Sequence, residues 1–181
     1  MNTKAFKYCF IVTALLSVIG CRPEVRQMAK AIKHFKQTTI VFPENTLMIR
    51  NGAANTCASM FNKRTTFVIY YEDDDCQECD IAHLSDLMPL YSLADEQNID
   101  IRCLFSPKEN EVRDVIEHLK SSGFGYDVFV DIEHSFKQSN PEFPADKRFH
   151  MFCVNDQSRP IFVGNPCTNR NAYNVFLKSM K

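Results

Sequence analysis

The chain has 181 residues, 45% of them hydrophobic and 24% charged, with 21 Lys and Arg against 22 Asp and Glu. That composition supplies a packed core and excludes wholesale disorder, and a net charge of -1 gives no basis for nucleic-acid binding. The length suits one domain plus an export segment, and eight cysteines fit an oxidising compartment better than a reducing one.

Residues 1–20 read as a signal peptide. Lys4 and Lys7 give a positive start, and the apolar run over residues 9–19 is too short to span a bilayer comfortably. The run ends in Val18-Ile19-Gly20-Cys21, which resembles the lipobox of bacterial lipoproteins. The resemblance implies cleavage after Gly20 and lipidation of Cys21, a membrane anchor in which each buried methylene contributes about 0.8 kcal/mol. The next position holds Arg22 and not the aspartate that in such lipoproteins signals inner-membrane retention. The expected location is therefore the cell envelope, at the outer membrane facing the periplasm. Cys9 leaves with the signal peptide, so the mature chain keeps Cys57, Cys76, Cys79, Cys103, Cys153 and Cys167 beyond the anchor.

Residues 21–37 form a tether. Val25, Met28, Ala29, Ile32 and Phe35 fall at helical spacing, with Arg26, Lys30, Lys33 and Lys36 interleaved. Such a basic amphipathic helix either lies on anionic headgroups or packs its apolar face on its own domain. Residues 38–64 read as a hairpin and linker: two short strands, Ile40-Val41-Phe42 and Leu47-Met48-Ile49, broken by Pro43-Glu44-Asn45, then a stretch from 53 to 64 with no clear period that reads as a linker or a short helix.

From residue 65 the pattern becomes regular. Residues 66–71 form a continuous β-prone run, as a buried central strand requires. A polar break at Glu72-Asp73-Asp74-Asp75 precedes Cys76-Gln77-Glu78-Cys79. A helix follows through Leu84, Leu87, Met88, Tyr91 and Ala94, with a kink expected at Pro89. Ile99, Ile101, Cys103 and Phe105 alternate as a strand. Ser106-Pro107-Lys108-Glu109 has the form of a capping box opening the next helix, which carries Val112, Val115, Ile116 and Leu119 and stops at Gly123. Short strands are expected over residues 126–130, 149–154 and 160–163, the last two joined by a turn at 155–158. Tyr173, Phe176, Leu177 and Met180 give a final helix its buried stripe.

The order over residues 65–181 is strand, helix, strand, helix, strand, hairpin, helix, with a Cys-x-x-Cys where the first strand meets the first helix. This resembles the thioredoxin-like superfamily, and within it the lipid-anchored TlpA-type and peroxiredoxin-like domains of Gram-negative bacteria. The resemblance implies an α/β fold in which helices flank a mixed sheet on both faces. It also implies a dithiol in which Cys76 attacks and Cys79 resolves. Members that turn over carry a cis-proline just before the strand facing the dithiol. Phe149 stands at that position here, with His150 beside it as a neighbour that either stabilises a thiolate or is simply packed.

Thiol–disulfide exchange needs a thiolate nucleophile and a second thiol to resolve the mixed disulfide. A helix N-terminus favours the thiolate of Cys76, while the flanking carboxylates disfavour it, so Cys76 is expected to be less acidic than a typical oxidoreductase cysteine. The expected function is that of a periplasmic, lipid-anchored thiol–disulfide oxidoreductase acting on protein thiols or disulfides, with no cofactor. A non-catalytic module that binds an envelope partner is the alternative. Metal handling by Cys76, Cys79 and a histidine such as His83 is a minor one, with no metal assigned. Cys103 and Cys153 fall on strands and read as small buried hydrophobes, whereas Cys57 and Cys167 lie in irregular segments and are open to pairing.

Overall fold

The computed structural model describes residues 23–57, 64–72 and 76–180. The signal peptide and the lipidation site Cys21 lie outside the described residues, as do Asp73, Asp74 and Asp75. Two compact units are present, Met1–His34 and Phe35–Lys181. Helix α1 (Pro23–Phe35), all but its last residue in the first unit, gathers Arg26, Lys30, Lys33 and His34 on one arc, with Met28, Ala31 and Ile32 half-buried on the other. No described helix is long and apolar enough to cross a membrane.

The second unit is built on seven strands: β1 (Thr46–Arg50), β2 (Ala53–Cys57), β3 (Thr66–Tyr71), β4 (Asp100–Phe105), β5 (Val128–Val130), β6 (Met151–Val154) and β7 (Pro160–Val163). Their order in the sheet is β2-β1-β5-β4-β3-β6-β7. β3, β4 and β5 run parallel, and the two hairpins join antiparallel at the flanks. β3 is an interior strand, paired on both edges beside central β4; Phe67 to Tyr70 are at most 2% exposed, so it reads as an unbroken apolar run.

Alternation along β3 separates two cores. Phe67 and Ile69 share a core with the helices α2 (Gln77–Ala82), α3 (Met88–Gln97), α4 (Val112–Ser122) and α6 (Arg170–Ser179), through Ile81, Leu90, Val115, Leu119 and Phe176. Both parallel crossovers step the same way across the sheet, and right-handed connections therefore put their helices on one face. Tyr70 points to the other face. There it meets Phe136 of the short helix α5 (Ser135–Ser139) and Phe143, in a cluster that also holds Phe35, Phe149 and Phe152.

Helix α5 depends on one buried carboxylate. Asp131 is fully buried and accepts bonds from Ser135 N (3.1 Å), Ser135 Oγ (3.0 Å) and Phe136 N (2.8 Å). Removing it leaves buried donors unpaired, at a cost of about 1–3 kcal/mol each. Asp131→Ala is expected to lower the melting temperature by roughly 5–10 °C, read by circular dichroism; an unchanged melt would show that the bonds contribute nothing.

Four local expectations are corrected. Residues 40–42 do not form a strand: Asn140 holds Val41 by both backbone groups (2.8 and 2.7 Å), and Ile40 N donates to Ser158 O (2.9 Å), so isolated bonds replace a ladder. Residues 53–57, which lack a period, do form a strand. Asn51 and Gly52 both take positive φ (48° and 77°), the conformation of a tight hairpin turn that pairs β2 on β1. The helix after Cys79 is broken into α2, a 3-10 turn (Leu84–Leu87) and α3. Pro89 starts α3 instead of kinking a longer helix, because in a first turn its missing N–H has no partner to lose. The Ser106 capping box does not form: Ser106 is buried, its N–H goes to Tyr71 O (2.9 Å), and α4 begins only at Val112.

Candidate dithiol site

The site follows from where β3 stops. The strand's hydrogen-bonded ladder ends at Tyr71, and Glu72 and Cys76 stand on either side of the three residues not described. Glu72 is 5% exposed, an expensive place for a carboxylate, and it is paired there with the ammonium of Lys137 from α5. Gln77, also buried, donates from Nε2 to Glu72 O. Glu72 is thus held from two sides, by a side chain within the Cys-x-x-Cys and by one from α5.

Cys76 is the N-cap of α2, and Cys79 lies one turn along it. The two form a disulfide with Cα atoms 5.2 Å apart, and both residues are exposed. A partner thiol can therefore reach the bond. Helix α2 has six residues and Cys76 has no side-chain cap bond, so the helix supplies only a small part of a full macrodipole.

The surroundings are acidic. Glu78 is exposed, Asp86 is exposed and bonded to His83 Nδ1 (3.0 Å), and Asp80 is half-buried. Burial pushes the Asp80 carboxyl up from the ordinary range, and His83 offsets part of that. Burial raises the Tyr71 phenol further, with contributions from Cys103, Asp80 and Asp86.

Phe149 and His150 sit elsewhere than in a strand. Phe149 closes a 3-10 turn (Lys147–Phe149) before β6, is 2% exposed, and packs its ring on Phe35 (5.6–6.0 Å being the span of the contacts Phe35 makes with Phe143 and Phe149). His150 is buried, its Nε2 is 3.1 Å from Pro144 O, and its ring packs against Tyr70 and Phe143. The turn is bonded to the strand that leads to the dithiol, since Tyr70 N donates to His150 O (2.9 Å). The structure thus brings Cys76 and Cys79 together and places Phe149 and the His150 ring in the aromatic cluster of the Tyr70 face. The residues that sequence reasoning missed are Gln77, Asp80 and Lys137. Their polarity reads as surface, and nothing local to residue 137 signals a partner at residue 72.

Among the described residues no group of three or more His, Cys, Asp or Glu is placed to hold a metal ion. Cys76 and Cys79 spend their sulfurs on each other, and His83 bonds Asp86. Outside the disulfide, Cys57 lies on β2, Cys167 is an exposed thiol, and Cys103 and Cys153 are buried thiols. Burial raises the thiol of Cys103 and pushes that of Cys153 up to about 12. Iodoacetamide at pH 8 is expected to label Cys167 in the folded chain and to leave Cys103 and Cys153 untouched until denaturant is added. Labelling of all three at one rate would contradict the burial. Both folded and unfolded chains keep the Cys153 proton below about pH 9. Stability therefore falls as pH rises from there toward about 12, where only the unfolded chain readily gives it up.

No family model matches the chain, and no curated protein matches it. It is similar in structure to an uncharacterized thioredoxin-like protein from Porphyromonas gingivalis, at 14% identity and a TM-score of 0.43, over 80% of this chain and 92% of that one. It is also similar to AhpC from Enterococcus faecalis, at 14% identity and a TM-score of 0.45, over 78% and 88% of the two chains. A third similarity is to a candidate thiol:disulfide interchange protein DsbE from Chlorobium tepidum, at 6% identity and a TM-score of 0.45, over 80% and 99%. The fold is thioredoxin-like. It is so by its own connections: a parallel β3–β4 crossover, an antiparallel β6–β7 hairpin beside β3, a closing helix, and a Cys-x-x-Cys that opens α2, the helix after β3.

Proposed function

We propose that this thioredoxin-like domain is a thiol–disulfide oxidoreductase of the cell envelope, anchored by lipidated Cys21 and acting through Cys76 and Cys79 on protein thiols or disulfides of the periplasm. One observation carries the reading: the exposed Cys76–Cys79 disulfide that follows interior strand β3, closed by residues one helical turn apart. When reduced, Cys76 attacks a partner disulfide and Cys79 resolves the mixed disulfide, or the reverse sequence oxidises a partner dithiol. The lipobox and the positive, apolar start of the chain support the anchor and the compartment.

A second reading, a non-catalytic module that binds an envelope partner, is favoured by Phe149. A buried phenylalanine packed on Phe35 stands where the resemblance places a proline presenting backbone to substrate. Reduction of insulin disulfides by the intact chain separates the two. Turnover with a thiol reductant above the reductant alone supports the oxidoreductase, and no acceleration supports the binding module.

A further inference from the structure

Helix α1 divides by charge. Arg26, Lys30 and Lys33 recur at steps of four and three residues, so they share one face, and all three are exposed. Met28, Ala31 and Phe35 fall on the opposite face, half-buried or buried, and Glu24, the one acid of the helix, falls on that side too. Lys36 follows the helix and is exposed. None of these four cations makes an ion pair among the described residues. The segregation extends to the whole chain. Residues 22–43 carry five Lys and Arg against one acid, whereas residues 44–181 carry fourteen against twenty-one. The side of α1 that meets solvent is therefore its basic side. A half-buried apolar side is not available for insertion into hydrocarbon, so what α1 fits is a negative surface and not the interior of a bilayer.

We propose that α1 lies along a membrane surface of anionic phospholipid, held there by Arg26, Lys30, Lys33 and Lys36. The proposal rests on the anchoring part of the function proposed above and not on the dithiol. Helix α1 starts two residues past Cys21. A link of that length spans at most about 7 Å, less than the Debye length of about 8 Å at physiological salt. A lipid on Cys21 thus brings the helix within range of the headgroup charge. Each cation near such a surface strengthens the contact about fivefold, so four of them add a second hold to a single lipidated residue. The same surface repels the net negative charge of residues 44–181, so it acts on the two parts of the chain in opposite senses.

The test follows acetylation of lysines in the intact chain by an uncharged succinimidyl ester, read residue by residue in mass spectrometry. The chain is labelled in buffer alone, with phosphatidylcholine vesicles, and with vesicles in which about one-third of the lipid is phosphatidylglycerol. At low ionic strength the anionic vesicles are expected to slow Lys30, Lys33 and Lys36 about fivefold or more against both other conditions, and about 0.5 M salt is expected to remove the difference. Exposed Lys178 is the control and should keep its rate throughout. Arg26→Glu combined with Lys30→Glu should restore the rates at Lys33 and Lys36 on anionic vesicles. Unchanged rates on anionic vesicles, or equal slowing on phosphatidylcholine, would overturn the proposal. So would lysines of α1 that already lag Lys178 in buffer alone, since the basic side would then be covered by this chain or a second copy. Insulin reduction and lipidation of Cys21 are measured separately, so a failure here leaves the proposed function standing.

Discussion

Cys76→Ser is expected to abolish disulfide exchange, lowering the insulin reduction rate roughly a thousandfold or more, as removal of a covalent nucleophile does. A serine hydroxyl is far less acidic than a thiol and cannot form the mixed disulfide. Cys79→Ser has a different expected outcome. It keeps the attacking thiol and loses the resolving one, so the mixed disulfide with a partner should accumulate and show in mass spectrometry as an adduct on Cys76. The two phenotypes separate the roles. If Cys79→Ser were silent and Cys76→Ser accumulated the adduct, the roles would be reversed. Both residues are exposed, so neither substitution leaves a cavity, and both variants are expected to lose only the stabilisation that the short disulfide loop provides.

Phe67→Ala is expected to carry the largest stability cost of the core substitutions considered, about 3–5 kcal/mol. Phe67 is 1% exposed on interior strand β3, with ring centroids 6.5 Å from Phe162 and 6.1 Å from Phe176. It therefore fastens α6 to the sheet, and the backbone on either side is fixed by pairing with Ile101 and Cys153. A strand held on both edges cannot collapse into the space a lost ring leaves. Chemical denaturation should show a lower midpoint with an unchanged slope. A loss under about 1 kcal/mol would mean that α6 repacks freely. The dithiol lies at the far end of the same strand, so the folded fraction of this variant should keep its exchange rate.

Much of this fold is legible in the residues. The run Phe67-Val68-Ile69-Tyr70 has no polar member, and only a strand covered on both faces can bury it. The stripe Val115 and Leu119, followed by Gly123 at φ 63°, marks α4 and its end directly. β2 escapes because it is an exposed edge: Ala53, Ala54, Asn55 and Thr56 face solvent, so no alternation is written into them. The signal for it was the Asn51-Gly52 pair. The breaks around Pro89 and Ser106 depend on which backbone groups the neighbouring elements claim, and periodicity carries no record of that. The dithiol itself is visible as a motif, and so is its acidic flank. What holds it is not visible. The Glu72–Lys137 pair joins two segments distant in sequence, and buried Gln77 is bonded to the backbone of Glu72.

The measurement that tests the central claim most directly is a redox titration of the intact chain. Thiols are trapped by alkylation across a series of glutathione or dithiothreitol buffers, and the state of Cys76 and Cys79 is read by mass spectrometry beside a Cys76→Ser control. The account predicts one reversible two-electron couple, with a midpoint between roughly -300 and -120 mV, the range of dithiol enzymes. A pair that stays bridged, or stays reduced, across the whole series would contradict an oxidoreductase and leave a thioredoxin-like module that only binds.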